Sequence, residues 1–106
     1  MNLSELQQFV KKMAEKFSER ENAFDMLARL TEESGEVAQE IRKIEKKGSK
    51  VFFDLSAGKE KLADELVDVL NVIASIANFY DMDLSAESDR RNKHIKEALK
   101  IEDYKE

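Results

Sequence analysis

LADELVDVLNVIASIANFY, from Leu62 to Tyr80, reads as one long helix. Leu62, Leu66, Val69, Ile73, Ile76 and Tyr80 recur at steps of three and four, the spacing of a buried helical face. Val67, Leu70, Ala74 and Ala77 add a second apolar strip. A helix apolar on nearly all sides is central to a bundle or is covered by a second chain. Two acids interrupt it, Glu65 and Asp68, three residues apart and so neighbours on one surface. At about 100° per residue, Glu65 falls between the directions of Val69 and Val72, inside the apolar arc. An ionised carboxylate there is costly unless something pairs with it.

The same acid spacing stands upstream, as Glu33 and Glu36 in LTEESGEVAQEI. The pattern predicts a helix from about Ala23 to Lys46, with Asn22 as its cap, Gly48 as its stop and basic residues at its negative end. Its expected seam is Leu27, Leu30, Thr31, Ser34, Val37, Ala38, Ile41 and Ile44. Glu33 lies at the edge of that seam, Glu36 one step further out, Glu40 a turn beyond, and Glu32 on the solvated side. Gly35 sits inside the helix, where glycine costs about 1 kcal/mol relative to alanine. Close approach of another backbone or of a ligand is the expected reason.

Two antiparallel helices packed along these seams bring Glu33, Glu36, Glu65 and Asp68 together. Like charges gathered in a partly apolar place need cations or protons. Neither histidine nor cysteine joins the set, and all-oxygen donors suit Mg²⁺ or Mn²⁺ before Zn²⁺. The chemistry implied is metal-assisted attack of water on phosphorus. The competing reading is a helical interaction module whose acids are solvated, because acid pairs at this spacing are common on wet helix surfaces.

The rest of the chain fits around this pair. A first helix is expected over Leu3 to Ser18, capped near Ser4. Leu6, Phe9, Val10, Met13 and Phe17 form its core stripe, and Gln7, Lys11, Lys12 and Glu15 its wet face. The connection Lys47 to Gly58 carries Val51, Phe52, Phe53 and Leu55, expected to plug the bundle end or else to wall a ligand pocket. Ser56 marks the cap region of the third helix. After a turn at Asp81 to Asp83, Ser85 is the expected cap of a fourth helix reaching about Lys100, with a thin stripe of Ala86, Ile95, Ala98 and Leu99.

At 106 residues the chain, 1–106, is expected to be a single domain. The absence of proline and the presence of only three glycines favour long unbroken helices over a turn-rich β fold. The expected class is all-α, four-helix bundle-like, completed by oligomerisation as a homodimer or homotetramer. Without cysteine there are no disulfides and no thiolate chemistry. A formal charge of −5 argues against a nucleic-acid polymer as partner. Asn71, Ser75 and Asn78 make the longest apolar stretch too polar for a membrane span. The stretch MNLSELQQF lacks the basic-then-apolar order of a signal peptide, so a cytoplasmic location is expected.

The succession of EESGE and, later, ELVD, each running into apolar helical sequence, resembles the MazG family. That family belongs to the all-α nucleoside triphosphate pyrophosphohydrolases, with the dimeric dUTPases, dCTP pyrophosphatases and phosphoribosyl-ATP pyrophosphohydrolases. The resemblance covers about Leu27 to Asp83. It implies hydrolysis of a nucleoside triphosphate between the α and β phosphates, giving monophosphate and pyrophosphate, in the service of clearing unwanted nucleotides. It further implies Glu33, Glu36, Glu65 and Asp68 as Mg²⁺ ligands, Mn²⁺ being a possible substitute, with one acid also orienting or deprotonating the attacking water. In the last helix it points to Arg91, Asn92, Lys93 and Lys96 as phosphate contacts, and His94 is expected at the surface. The alternative is a non-catalytic relative that binds a nucleotide or a metal.

Overall fold

The structure, a computed structural model, describes residues 1–17, 20–47 and 58–102. All regular structure among them is helical: α1 (Leu3–Ala14), α2 (Ala23–Ile44), α3 (Lys59–Phe79) and α4 (Leu84–Leu99). The all-α, four-helix expectation holds. The apolar loop Val51–Leu55, the Gly48 stop and the Ser56 cap lie outside the described residues.

The starts of α1, α2 and α4 are set by side chains that satisfy orphan N–H groups. Asn2, not Ser4, caps α1: its Oδ1 accepts from Glu5 N at 2.8 Å, and Glu5 Oε1 accepts from Asn2 N at 3.0 Å. Asn22 and Asp25 form the same reciprocal box on α2. Asp83, not Ser85, caps α4 by accepting from the amides of Ser85 and Ala86. Its carboxylate replaces the serine because it reaches two amides at once and places a negative charge at the positive helix end. The three helices α2, α3 and α4 end on left-handed residues, Lys46, Asp81 and Lys100. Each is followed by an amide that bonds five residues back: Lys47 to Arg42, Met82 to Ala77 and Ile101 to Lys96.

The central unit is α2 packed on α3. The N-terminal turn of α2 lies beside the end of α3, since Met26 and Leu27 share a hollow with Ile76 and Tyr80, so the two helices run antiparallel. Among the buried and half-buried positions of α2, Met26, Leu30, Glu33, Val37, Glu40 and Ile44 recur at alternating steps of four and three. Those facing them on α3 follow the same rule: Leu62, Glu65, Val69, Val72 and Ile76. This is the spacing of a coiled-coil seam, with carboxylates at three of its positions. The expected α2 seam is therefore rotated. Leu27, Thr31, Ser34, Ala38 and Ile41 are exposed, and Thr31 Oγ1 turns back to Leu27 O at 3.1 Å. On α3 the expected face is likewise split, with Leu66, Ile73 and Tyr80 exposed.

The other side of α3 receives α1. Gln7, expected on the wet face, is instead a clasp. Its Nε2 donates to Asn78 Oδ1 and Met82 O at 2.9 and 2.8 Å, and its Oε1 accepts from Leu84 N at 2.8 Å. Asn78 Nδ2 returns a bond to Gln7 O at 3.0 Å. One turn from this clasp on either helix stand the buried Val10 and Ala74. Ala74 is thus covered within the chain rather than by a partner. Phe17 lies beyond the end of α1, which stops at Ala14, and is 69% exposed, so it is not a core residue. The fourth helix packs mainly against α1 and buries no residue fully. Of its expected stripe only Ile95 is half-buried; Ala86, Ala98 and Leu99 are exposed.

Candidate metal centre

The α2–α3 seam gathers its acids midway along its length. Glu33, Glu36 and Glu65 each place one carboxylate oxygen within 4.8 Å of the others. Asp68 is close enough to act electrostatically on both Glu33 and Glu65. Glu33 and Glu65 occupy seam positions, so each has an Oε2 that is buried and has no hydrogen-bond partner. Glu36 and Asp68 are exposed and flank them from the rim.

The electrostatics follow from this packing. Glu65 is pushed up to about 7, first because the neighbouring Glu36 carboxylate accepts a hydrogen bond only from its protonated form. Desolvation and the charges of Glu36, Asp68 and Glu33 add to the rise. Glu33 is also raised, first by desolvation and then by Glu36 and Asp68. The cation that opposes the rise of Glu33 is Arg29, one helical turn away and itself bonded to Glu21. Arg29 was not singled out by sequence reasoning, although its i, i+4 spacing to Glu33 is legible in the chain.

Orphaned carboxylate oxygens in a partly dry seam call for protons or a cation. The donor set is oxygen only, and it mixes half-buried with solvent-facing groups. It fits a hard divalent cation that keeps some of its water. Among the described residues Gly35 has nothing within 4 Å of where a Cβ would stand, so no backbone approaches it. Of the two approaches expected at Gly35, by a backbone or by a ligand, no backbone among the described residues makes the first.

The expected phosphate contacts lie on α4, which packs mainly against α1. Arg91, Asn92 and Lys93 are exposed on α4, Lys96 is half-buried, and Asn92 Nδ2 bonds Ser88 Oγ at 3.0 Å. Arg90, Arg91, Lys93, His94 and Glu97 line a hollow of about 340 Å³ on that helix. His94 is exposed, as expected. The acid that sequence reasoning placed too far out is Glu40, which is 7% exposed on the seam and paired with Lys43. Its signal was available: Glu33, Val37, Glu40 and Ile44 continue the four-three alternation.

An all-α protein whose central antiparallel pair concentrates carboxylates from ExxE and ExxD segments has the arrangement expected from the resemblance to the nucleotide pyrophosphohydrolases. The family model described as the MazG nucleotide pyrophosphohydrolase domain matches residues 21–96, and the chain belongs to this family. The match spans α2, α3 and most of α4. No curated protein and no solved structure matches the chain. Among the described residues no helix is long and apolar enough to cross a membrane.

Proposed function

We propose that this protein is a Mg²⁺-dependent nucleoside triphosphate pyrophosphohydrolase that converts a nucleoside triphosphate and water to the monophosphate and pyrophosphate. The observation that carries the reading is the meeting of Glu33, Glu36 and Glu65 within 4.8 Å, two of them with buried unpartnered oxygens. Glu33, Glu36, Glu65 and Asp68 hold the cation, and Mn²⁺ replaces it. The metal supplies charge screening for the phosphates and a more acidic water. The protein's part is to hold four carboxylates on two rigid helices, so that the cation meets them already in place. Seam residues Leu30, Val37, Val69 and Val72 lie on either side of the acids and limit water access. The natural role is removal of unwanted nucleotides. A screen of ribo- and deoxyribonucleoside triphosphates with separate detection of pyrophosphate and phosphate tests the reading. Release of orthophosphate alone, or no turnover with either Mg²⁺ or Mn²⁺, overturns it.

The basic face of α4 is the second part of the proposal. Arg91, Asn92, Lys93 and Lys96 bind substrate phosphate. A charge-assisted hydrogen bond contributes about 1.5–3 kcal/mol, so Arg91→Ala or Lys93→Ala is expected to weaken triphosphate binding by ten-fold or more and to leave Mn²⁺ binding intact. Unchanged KM and kcat in both variants would remove α4 from the site.

The third part is assembly. Leu66, Val67, Leu70 and Ile73 lie along one side of α3, and Val67 and Leu70 are 50% and 47% exposed. Phe24, Leu27 and Tyr80 are also open to solvent, and contiguous exposed apolar surface marks interaction sites. The chain therefore forms a homodimer or homotetramer that covers the Leu66–Val67–Leu70–Ile73 side of α3. Sedimentation velocity at micromolar concentration is expected to show no monomer in the wild type. A monomeric wild type refutes the assembly.

A further inference from the structure

Glu40 and Lys43 form an i, i+3 pair of a kind that helices usually leave in water. Here the pair is inside. Lys43 Nζ donates to Glu40 Oε1 at 3.0 Å, and about nine-tenths of each side chain is covered. Glu40 Oε2 is buried and has no hydrogen-bond partner. A buried ion pair gains little net stability because both charges are desolvated, and an acceptor left open inside the protein adds a further cost. Stability alone therefore does not explain the arrangement.

The position of Glu40 does. It stands on the seam of α2, one turn beyond Glu36 and two turns beyond Glu33. At 100° per residue its direction differs from that of Glu33 by only about 20°. Side chains four apart on a helix have Cβ atoms about 5–6 Å from each other, a gap that one water spans between two carboxylates. Helical side chains lean toward the N-terminus, so Lys43 reaches back onto Glu40, holds one oxygen and leaves the other. Among the described residues three buried unpartnered carboxylate oxygens then lie on one seam, those of Glu33, Glu65 and Glu40, and of these Glu40 alone stands outside the cluster.

We propose that Glu40 is a positioning residue of the metal centre: its open oxygen accepts a hydrogen bond from water held between it and the Glu33–Glu36–Glu65 cluster, while Lys43 fixes its other oxygen. The proposal rests on the metal-centre reading above. A carboxylate in this outer position orients the inner set and sustains its affinity for metal, and its loss lowers metal affinity by about 10–100-fold.

The test measures Mn²⁺ affinity by equilibrium dialysis and metal-free melting temperature, on the full chain, for wild type, Glu40→Gln and the double variant Glu40→Gln/Lys43→Met. Glu40→Gln is expected to bind Mn²⁺ at least ten-fold more weakly and to melt earlier, because the buried ammonium loses this partner. The double variant removes both charges. It is expected to recover the melting temperature, and its Mn²⁺ affinity is expected to stay low. An ion pair that serves folding alone gives the same melting temperatures but leaves the double variant binding Mn²⁺ like the wild type, which overturns the proposal. If the double variant does not fold, the single variant decides, and wild-type Mn²⁺ affinity in Glu40→Gln overturns it equally. Failure of the underlying reading looks different: wild type then binds no Mn²⁺, or binds it no better than Glu65→Gln does.

Discussion

Glu65→Gln is expected to abolish turnover while leaving the metal-free protein at least as stable as the wild type. Glutamine preserves the shape of the side chain at a seam position and removes the charge that Glu36, Asp68 and Glu33 disfavour. The neutral amide is a poor ligand for Mg²⁺. Loss of one preorganised electrostatic contact at a reacting centre costs about 10²–10³ in rate, and loss of a metal ligand is expected to cost at least as much. The metal-free melting temperature does not fall, because a like-charge contact has been relieved and no paired charge has been stranded. Mg²⁺ raises the melting temperature of the wild type, since it binds the native state alone, and raises that of Glu65→Gln much less. Melts with and without Mg²⁺ beside one steady-state assay check all of this. Near wild-type turnover in Glu65→Gln defeats the metal-site reading.

The same residue makes metal binding and stability depend on pH in opposite senses. Glu65 is raised from its ordinary value of 4.5 to about 7 by the Glu36 carboxylate and by burial. Between those values the folded, metal-free chain binds more protons at this site than the unfolded chain does. Stability at this site is therefore fully present below about pH 4.5 and is lost as pH rises through about 7. The wild type should melt progressively earlier, relative to Glu65→Gln, over that window. The metal needs the carboxylate, so Mg²⁺ affinity rises about ten-fold per pH unit up to about 7 and levels off above it. Glu33, also raised, adds to the trend in the same direction. Calorimetric titration at pH 6 in buffers of different ionisation enthalpy should show about one proton released per site, and at pH 8.5 almost none. A pH-independent affinity with no proton release shows that Glu65 is an ordinary solvated acid.

Both results concern residues that could be picked out of the chain unaided. Glu33, Glu36, Glu65 and Asp68 were legible because two acid pairs at i, i+3 interrupt strongly apolar helical sequence, and because no histidine or cysteine competes with them. The four helices were legible for the related reason that their periodicity runs over many turns without proline. What the chain did not show was phase. A helix such as α3, apolar on most sides, has no unique inward direction in its own sequence. Packing against α2 selected Leu62, Glu65, Val69, Val72 and Ile76 and left Leu66, Ile73 and Tyr80 in solvent. The same rotation carried Glu40 from the outer surface to a buried seam position and exposed Leu27 and Ile41.

Helix ends were decided locally, but by competition. Asn2, Ser4, Asp83 and Ser85 are all able caps, and the side chain that reached free amides prevailed in each case. Gln7 reads as a polar residue on a wet face until the end of α3, the turn after it and the start of α4 arrive opposite it and supply one partner each, Asn78, Met82 and Leu84. The sequence by itself determined the helix content, the acid pairs and the family to which they belong, because these rest on local spacing along one chain. Which faces of α2 and α3 meet, how deep each acid lies, and that α4 rests on α1, were decided only by tertiary packing. Burial and pKa are properties of what surrounds a side chain, and those neighbours come from residues far away in the chain.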